Sequence, residues 1–234
     1  MPRTLLQAPG YDRARSLGWL AIEWMEFVVR HGLGDVQGGP VRHGDEYTGF
    51  VVDCYAVGDF AQNNHLLYDS VFVPRPKVCD KLGLGARLAL CEALGPARFA
   101  GWARGGETYT DPWGLGFEHT CEPGEPMGAH VTTPYIWIMA TEEARTGNVY
   151  DSVHHNLTDE DCPLSRVPGV DPGLTRVYLP GRGGIPPSTA ASASKGGGKR
   201  SMPSSRKRSG CTTSSGSLRI RRSGRTAWIV GVRS

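Results

Sequence analysis

No Asp or Glu occurs after Asp171 in this 234-residue chain. Residues 1–171 carry 13 Lys/Arg against 23 acids, a balance of −10, and residues 172–234 carry the other 13 Lys/Arg with none. The net charge of +3 therefore conceals an acidic body and a basic end. That asymmetry points to a nucleic-acid or membrane tail, or to a segment never selected as protein. Missing too is any CxxC pair among Cys54, Cys79, Cys91, Cys121, Cys162 and Cys211, and any His pair at zinc-finger distance. Standard structural zinc patterns are thereby excluded, no metal site is expected, and the cysteines read as reduced thiols. No stretch reaches the ~20 apolar residues of a membrane span, and residues 1–10 lack the apolar centre of a signal peptide. A soluble, intracellular chain with no membrane partner is the expectation.

What is present organises residues 1–199. The 39% hydrophobic content supports a core in part of the chain. Leu17, Leu20, Ala21, Trp24, Phe27 and Val28 recur at three- and four-residue steps behind Ser16, a candidate N-cap. This spacing predicts a helix stopped by Gly32 and Gly34, with Arg30 and His31 in its last turn, where the helix dipole favours positive charge. A Gly-rich turn over 32–40 precedes a second helix over 45–55. The β-branched run 66–73 ends at Pro74 as a buried strand entering a loop would, the loop covers 75–85, and 86–94 suits a helix closed by Gly95 and Pro96. Residues 99–133, rich in Gly, Pro and aromatics, read as an elaborate surface insertion. The apolar run 135–140 leads through Thr141, Glu142 and Glu143 into a helix ending near Asn156, and 174–179 is a third strand candidate turned by 181–184. Strands alternating with helices favour an α/β domain with a largely parallel sheet.

A nucleoside-triphosphatase needs glycine where a loop between strand and helix wraps phosphate, then lysine followed by Ser or Thr for phosphate and magnesium. Residues 75–83, Arg-Pro-Lys-Val-Cys-Asp-Lys-Leu-Gly, occupy the position but not the pattern: no glycine tightens the loop, and Leu82 follows Lys81. Alone, they read as a solvated basic loop. Gln37 alone is a polar loop residue, and Glu142 and Glu143 alone are acids well placed at a helix N-terminus.

The ordered set of strings is more specific. Ser16-Leu17-Gly18, Gly34-Asp35-Val36-Gln37-Gly38, Arg75-Pro76-Lys77, Ala140-Thr141-Glu142-Glu143, Gly147-Asn148-Val149-Tyr150-Asp151 and Lys195-Gly196-Gly197-Gly198-Lys199 occur in sequence. Along nearly all of 15–199 the chain resembles the large terminase subunits of tailed bacteriophages of actinobacteria. The resemblance implies a P-loop NTPase-like fold, a mostly parallel sheet flanked by helices, incomplete here, with residues 1–199 a partial packaging-ATPase domain. It implies ATP and Mg²⁺ as cofactors, and double-stranded phage DNA, a terminase small subunit and a portal protein as partners, in the cytoplasm of a bacterial host. It assigns ATP binding to Gln37, Arg75, Lys77 and Lys81, with Lys81 as the phosphate-binding lysine. To Glu142 and Glu143 it assigns the catalytic coupling of hydrolysis to DNA movement. Three residues depart from the family: Val78 stands for its Gly, Leu82 for its Ser, and Arg145 for its Gln. A β-branched residue resists the backbone that glycine permits, and leucine removes the oxygen for Mg²⁺, so an ATPase by lineage with poor hydrolysis is expected.

The family's acidic Mg²⁺ strand follows shortly after the Lys195-to-Lys199 region, whereas here 201–234 holds eight Lys/Arg, nine Ser and no acid. Residues 200–234 therefore read as a basic Ser/Arg-rich tail, either shifted in reading frame or disordered. If Ser204 and Ser205 use TCN codons, Arg206 AGR and Arg208 CGN, reading 202–208 from each codon's third base gives an apolar run ending in two possible acids; the slip is favoured because the acidic motif is lost where the composition changes. The alternative is a non-enzymatic protein that binds nucleic acid through this tail.

Overall fold

The computed structural model describes residues 11–58, 66–74, 79–140, 143–189, 217–223 and 226–232. Helix α1 is Gly18–Val28, and Leu17, Leu20, Ala21, Trp24, Met25 and Val28 are each at most 1% exposed. Helix α2, Asp45–Cys54, packs so closely on it that any side chain at Gly18 would run into the Val52 backbone. Ser16 joins the two, its Oγ accepting from Gly18 N at 3.0 Å and donating to Val52 O at 2.5 Å.

Strand β1, Ser70–Pro74, is followed by helix α3, Lys81–Leu94. Every residue from Leu84 to Leu94 is buried, Arg87 and Glu92 included, because α3 packs on α1, on the fourth helix and on the sheet. A helix enclosed on all sides is apolar nearly all round, as Leu84, Leu88, Leu90 and Leu94 make it. Four short strands follow: β2 (Arg98–Trp102), β3 (Thr108–Thr110), β4 (Glu118–Thr120) and β5 (Pro126–Ala129). They form two nested antiparallel ladders, β2 with β5 and β3 with β4. The insertion is fastened to the helices at its centre: Trp24 Nε1 donates to Asp111 Oδ1 at 3.1 Å, and Trp113 Nε1 to Leu94 O at 2.7 Å.

Strand β6, Tyr135–Ala140, is the centre of the main sheet, and α4 is Glu143–Thr158. Strands β7 (Asp171–Pro172), β8 (Val177–Leu179), β9 (Gly183–Ile185), β10 (Pro187–Thr189), β11 (Ser217–Ser223) and β12 (Thr226–Val232) complete it. The order is β1-β11-β12-β6-β9-β8-β7, with β10 also on β6. Ile136 and Ile138 are buried on one face of β6, while Tyr135 and Trp137 on the other are half-buried, the period-two signature of a strand. Helices α3 and α4 both pack on this sheet and on each other.

The architecture is mixed α/β with four α-helices among the described residues. The expected mostly parallel sheet is corrected. Among the described residues β6 is parallel to β12, β9 and β10, but β1–β11, β11–β12, β8–β9 and β7–β8 are antiparallel, as are both small ladders. The tight connection at 180–182 leaves β8 and β9 no room for the crossover that parallel neighbours need. Two segments of the end that reads from sequence as shifted in frame or disordered are strands, forming a hairpin between β1 and β6. Ile, Val and Trp in Leu218, Ile220, Trp228, Ile229 and Val230 suit a pleated surface despite the intervening arginines. Helix α3 begins five residues before the expected start, because burial outweighs the poor helix propensity of Gly83 and Gly85. Helix α1 ends at Val28, so Arg30 and His31 lie beyond it. Among the described residues no helix is long and apolar enough to cross a membrane.

A candidate ligand cavity at the amino end of helix α3

The connection from β1 to α3 spans residues 75–80, and a cavity of about 560 Å³ opens beside its far end. Three elements line it. From the turn after α1 come Arg30, His31, Leu33 and Val36; from the first turns of α3, Asp80, Leu82, Gly83, Ala86 and Arg87; from α4, Asn148, Ser152 and Asn156. The α4 residues are spaced by four and so share one helix face. The volume is that of a small-molecule or cofactor pocket.

The turn is held by its own backbone and by α4. His31 N donates to Gly39 O at 2.9 Å and Gly38 N to His31 O at 3.0 Å, closing 31–39 into a loop. Asn156, 2% exposed, clamps its start: Oδ1 accepts from Arg30 N at 2.7 Å, and Nδ2 donates to Arg30 O and to Ser152 O, each at 2.9 Å. Gly32 lies so close to Ser152 that a Cβ there would collide with its side chain.

Asp80 caps α3 in the left-handed conformation, φ 46° and ψ 28°, with no side-chain capping hydrogen bond. A phosphate-binding loop of the G-x-x-x-x-G-K-[ST] type has glycine immediately before its lysine. The backbone at position 80 is thus one that glycine adopts freely and that costs aspartate some strain. Its carboxylate is turned onto Arg87, Nη2 to Oδ2 2.8 Å. Arg87 is 4% exposed, and among the described residues its Nε has no hydrogen-bond partner. Tyr47 Oη of α2 donates to Cys79 O, tying the entry of α3 to its neighbour.

Beside Arg87 lies a second polar group. His43 has a wholly buried side chain whose Nδ1 is 3.1 Å from Glu26 Oε1, and its backbone N donates to the same oxygen at 2.7 Å. Burial first, then the Arg87 cation, holds the imidazole below its ordinary pKa against the opposing pull of Glu26.

The expected site residues distribute unevenly around this cavity. Lys81 is the first residue of α3, half-buried, next to the lining residues Leu82 and Gly83. Gln37 is exposed on the turn, adjoining the lining residue Val36. Glu143 opens α4, the helix whose Asn148, Ser152 and Asn156 face the cavity. Arg75, Lys77, Val78 and Glu142 lie outside the described residues. Sequence reading passed over Asp80, Arg87 and Asn156. Asp80 could have been found by aligning Lys81 on the loop pattern, and Asn156 by the polar four-residue spacing through Asn148 and Ser152; a lone Arg in an apolar helix carries no such signal.

ATP and Mg²⁺ fit this site unequally. The wall carries Arg30, His31 and Arg87 against one acid, Asp80, and the unpartnered Nε of Arg87 is a buried donor that an acceptor on an anionic ligand would satisfy. Among the described residues Mg²⁺ has no comparable provision. Leu82 offers no hydroxyl, Asp80 sets a negative charge at the helix end where phosphate would lie, and β12, parallel to β6, contains no Asp or Glu. Compared with protein-family models, with curated proteins and with solved structures, the chain gives no match in any of the three.

Proposed function

We propose that this chain carries the ATPase part of a large terminase subunit of a tailed bacteriophage, a DNA-packaging motor, in which the nucleotide pocket persists and hydrolysis is lost. The observation that carries the reading is the strand-to-helix connection from Pro74 to Lys81 with a basic, cofactor-sized cavity at its helical end. Support comes also from the Gly-rich turn bearing Gln37 on the cavity's rim, and from β6 running into α4 at Glu143 beside it. In this reading Lys81 is the phosphate lysine, Gln37 reads the base, Arg75 and Lys77 add charge to the loop, and Glu142 and Glu143 couple the site to DNA. Double-stranded DNA, a small subunit and a portal protein are the partners of the intact motor, in the host cytoplasm. In this reading Mg²⁺-dependent turnover is lost because Leu82 carries no hydroxyl and β12 no acid to hold the ion.

The test is nucleotide binding to the purified chain, followed with a fluorescent ATP analogue, before and after Val78→Gly with Leu82→Ser. Weak, Mg²⁺-independent binding by the parent and tighter, Mg²⁺-dependent binding by the double variant are expected. Equal affinity in the two proteins removes the ATPase lineage. The alternative, a nucleic-acid binder acting through its basic end, requires salt-sensitive DNA binding that disappears on truncation after Lys199. The β11–β12 hairpin within the sheet leaves less of that end available for such a role.

A further inference from the structure

Away from the cavity, the insertion gathers three different ligand types at the end of the β3–β4 hairpin. One ligand atom each from His119, Cys121 and Glu125 lies within 4.8 Å of the other two. The backbone fixes all three positions. His119 pairs with Tyr109 across the ladder; Cys121 N donates to Glu107 O at 2.8 Å, and Gly106 N to Cys121 O at 3.1 Å. Around Glu125 a turn is closed by Glu125 N to Glu122 O at 3.0 Å, and Ala103 N donates to Glu125 O at 2.8 Å. Cys121 is 2% exposed, and the side chains of His119 and Glu125 are 15% and 18% exposed.

The two imidazole nitrogens of His119 are committed differently. Nε2 faces Glu125 Oε1 at 2.9 Å, while Nδ1 is 2.8 Å from Glu23 Oε2, a carboxylate contributed by α1. A histidine that ligates a cation through one nitrogen ordinarily donates its other N–H to a carboxylate, which fixes the tautomer and the ring plane. Four-coordinate zinc, with bonds of about 2.0–2.3 Å, holds its ligand atoms roughly 3–4 Å apart, close to the spacing already present in the cluster.

We propose that His119 Nε2, Cys121 Sγ and a Glu125 carboxylate oxygen bind a divalent cation of the zinc class, with water as fourth ligand and Glu23 orienting the imidazole. Nitrogen, thiolate and carboxylate together suit a borderline-soft ion rather than Mg²⁺ or Ca²⁺. Binding displaces the protons on Sγ and Nε2 into solvent, a release that the charge of the bound cation makes favourable. The ion would fasten the insertion to α1 through Glu23, a role that stands apart from the nucleotide reading. The competing arrangement is an imidazolium held between two carboxylates, with Cys121 an inert buried thiol.

The full-length chain, stripped of metal, is titrated with Co²⁺ and then with Zn²⁺. A saturating thiolate-to-cobalt charge-transfer band with tetrahedral visible bands is expected, displaced by Zn²⁺ and absent in Cys121→Ser. Glu23→Gln keeps the band but weakens binding ~10–100-fold, the usual cost of losing the partner of a ligating histidine. A wild-type chain with no such band, a band that survives Cys121→Ser, or an unchanged affinity in Glu23→Gln each overturns the proposal. The last result decides the matter even where Cys121→Ser fails to fold.

Discussion

Arg87 Nη2 lies 2.8 Å from Asp80 Oδ2, joining a buried cation within α3 to the residue that caps the same helix. The pair puts two effects on one position. Asp80 neutralises a guanidinium that is only 4% exposed, yet its charge stands where a helix end would otherwise attract phosphate, in a backbone conformation suited to glycine.

Asp80→Gly therefore moves two measurements in opposite directions. Added to Val78→Gly and Leu82→Ser, it should tighten nucleotide binding by about tenfold, since a half-exposed carboxylate near a phosphate costs on the order of 1–2 kcal/mol. Stability should fall by about 1–3 kcal/mol as Arg87 loses its partner, with relief of the left-handed strain returning part of that. Fluorescent-nucleotide titration and urea denaturation of the same protein read both; a drop in both affinity and stability would mean that Asp80 belongs to the site rather than obstructing it.

Asn156 supports the cavity without lining up with any sequence motif. Asn156→Ala frees the N–H and C=O of Arg30 together, and a loss of about 2 kcal/mol is expected, because an unmet backbone group costs about 1–3 kcal/mol and Arg30 is half-buried. Asn156→Asp keeps the acceptor for Arg30 N but sets a carboxylate against the Arg30 and Ser152 carbonyls, so it should lose at least as much. Hydrogen exchange at the Arg30 amide, fast in the alanine variant and slow in the parent, distinguishes loosening of the turn from general destabilisation.

Much of the element order was legible from hydrophobic spacing alone. The runs that became α1, α2, β6 and α4 are bounded close to their expected limits, because each buries one continuous face: Leu20, Trp24 and Val28 on α1, Ile136 and Ile138 on β6. Strand pairing was not legible, since Gly181 at φ 71° sets direction through turn geometry rather than side-chain pattern. Helix α3 was half-read because Gly83 and Gly85 look like a break in isolation, and only the packing of α1, α4 and the sheet around them makes a helix there favourable. Around the cavity, Lys81 and Gln37 stood out by position in a motif, whereas Arg87 and Asn156 act through contacts with residues 7 and 126 positions away. The cluster at His119 escaped for a related reason. Its ligand types are mixed and its fourth participant, Glu23, is 96 residues distant.

Glu92 is a second buried charge on α3 with both oxygens occupied. Tyr55 Oη donates to Oε1 at 2.9 Å and Arg98 Nη1 to Oε2 at 2.6 Å, and the carboxylate side chain is 0% exposed. Glu92→Ala strands Arg98 and should cost roughly 3–5 kcal/mol. Replacing the pair together, Glu92→Leu with Arg98→Met, should cost far less, because no uncompensated charge remains. Urea-unfolding midpoints at constant m-value carry the comparison, and equal losses in the two proteins would show that packing, not charge, dominates at this position.

His43 gives the fold a dependence on pH whose sign follows from its surroundings. Burial, and next the Arg87 cation, lower its pKa from the ordinary 6.5, while its hydrogen bond to Glu26 and the charges of Glu26 and Asp80 oppose that shift. The native state thus binds this proton less readily than the unfolded chain. The contribution is fully present above about pH 6.5 and is lost as pH falls through the depressed native value, at up to about 1.4 kcal/mol per pH unit. His119 works the other way: burial lowers its pKa, but hydrogen bonds and charge from Glu23 and Glu125 outweigh that and raise it. Its contribution is present at low pH and fades as pH rises, so the slope of the whole protein mixes the two. The difference in unfolding free energy between the parent and His43→Gln, measured from pH 7.5 to 5, isolates His43 and should shrink steadily toward acid. Arg87→Met should reduce that acid sensitivity without abolishing it, since burial of the ring remains; a difference that grows toward low pH would reverse the assignment.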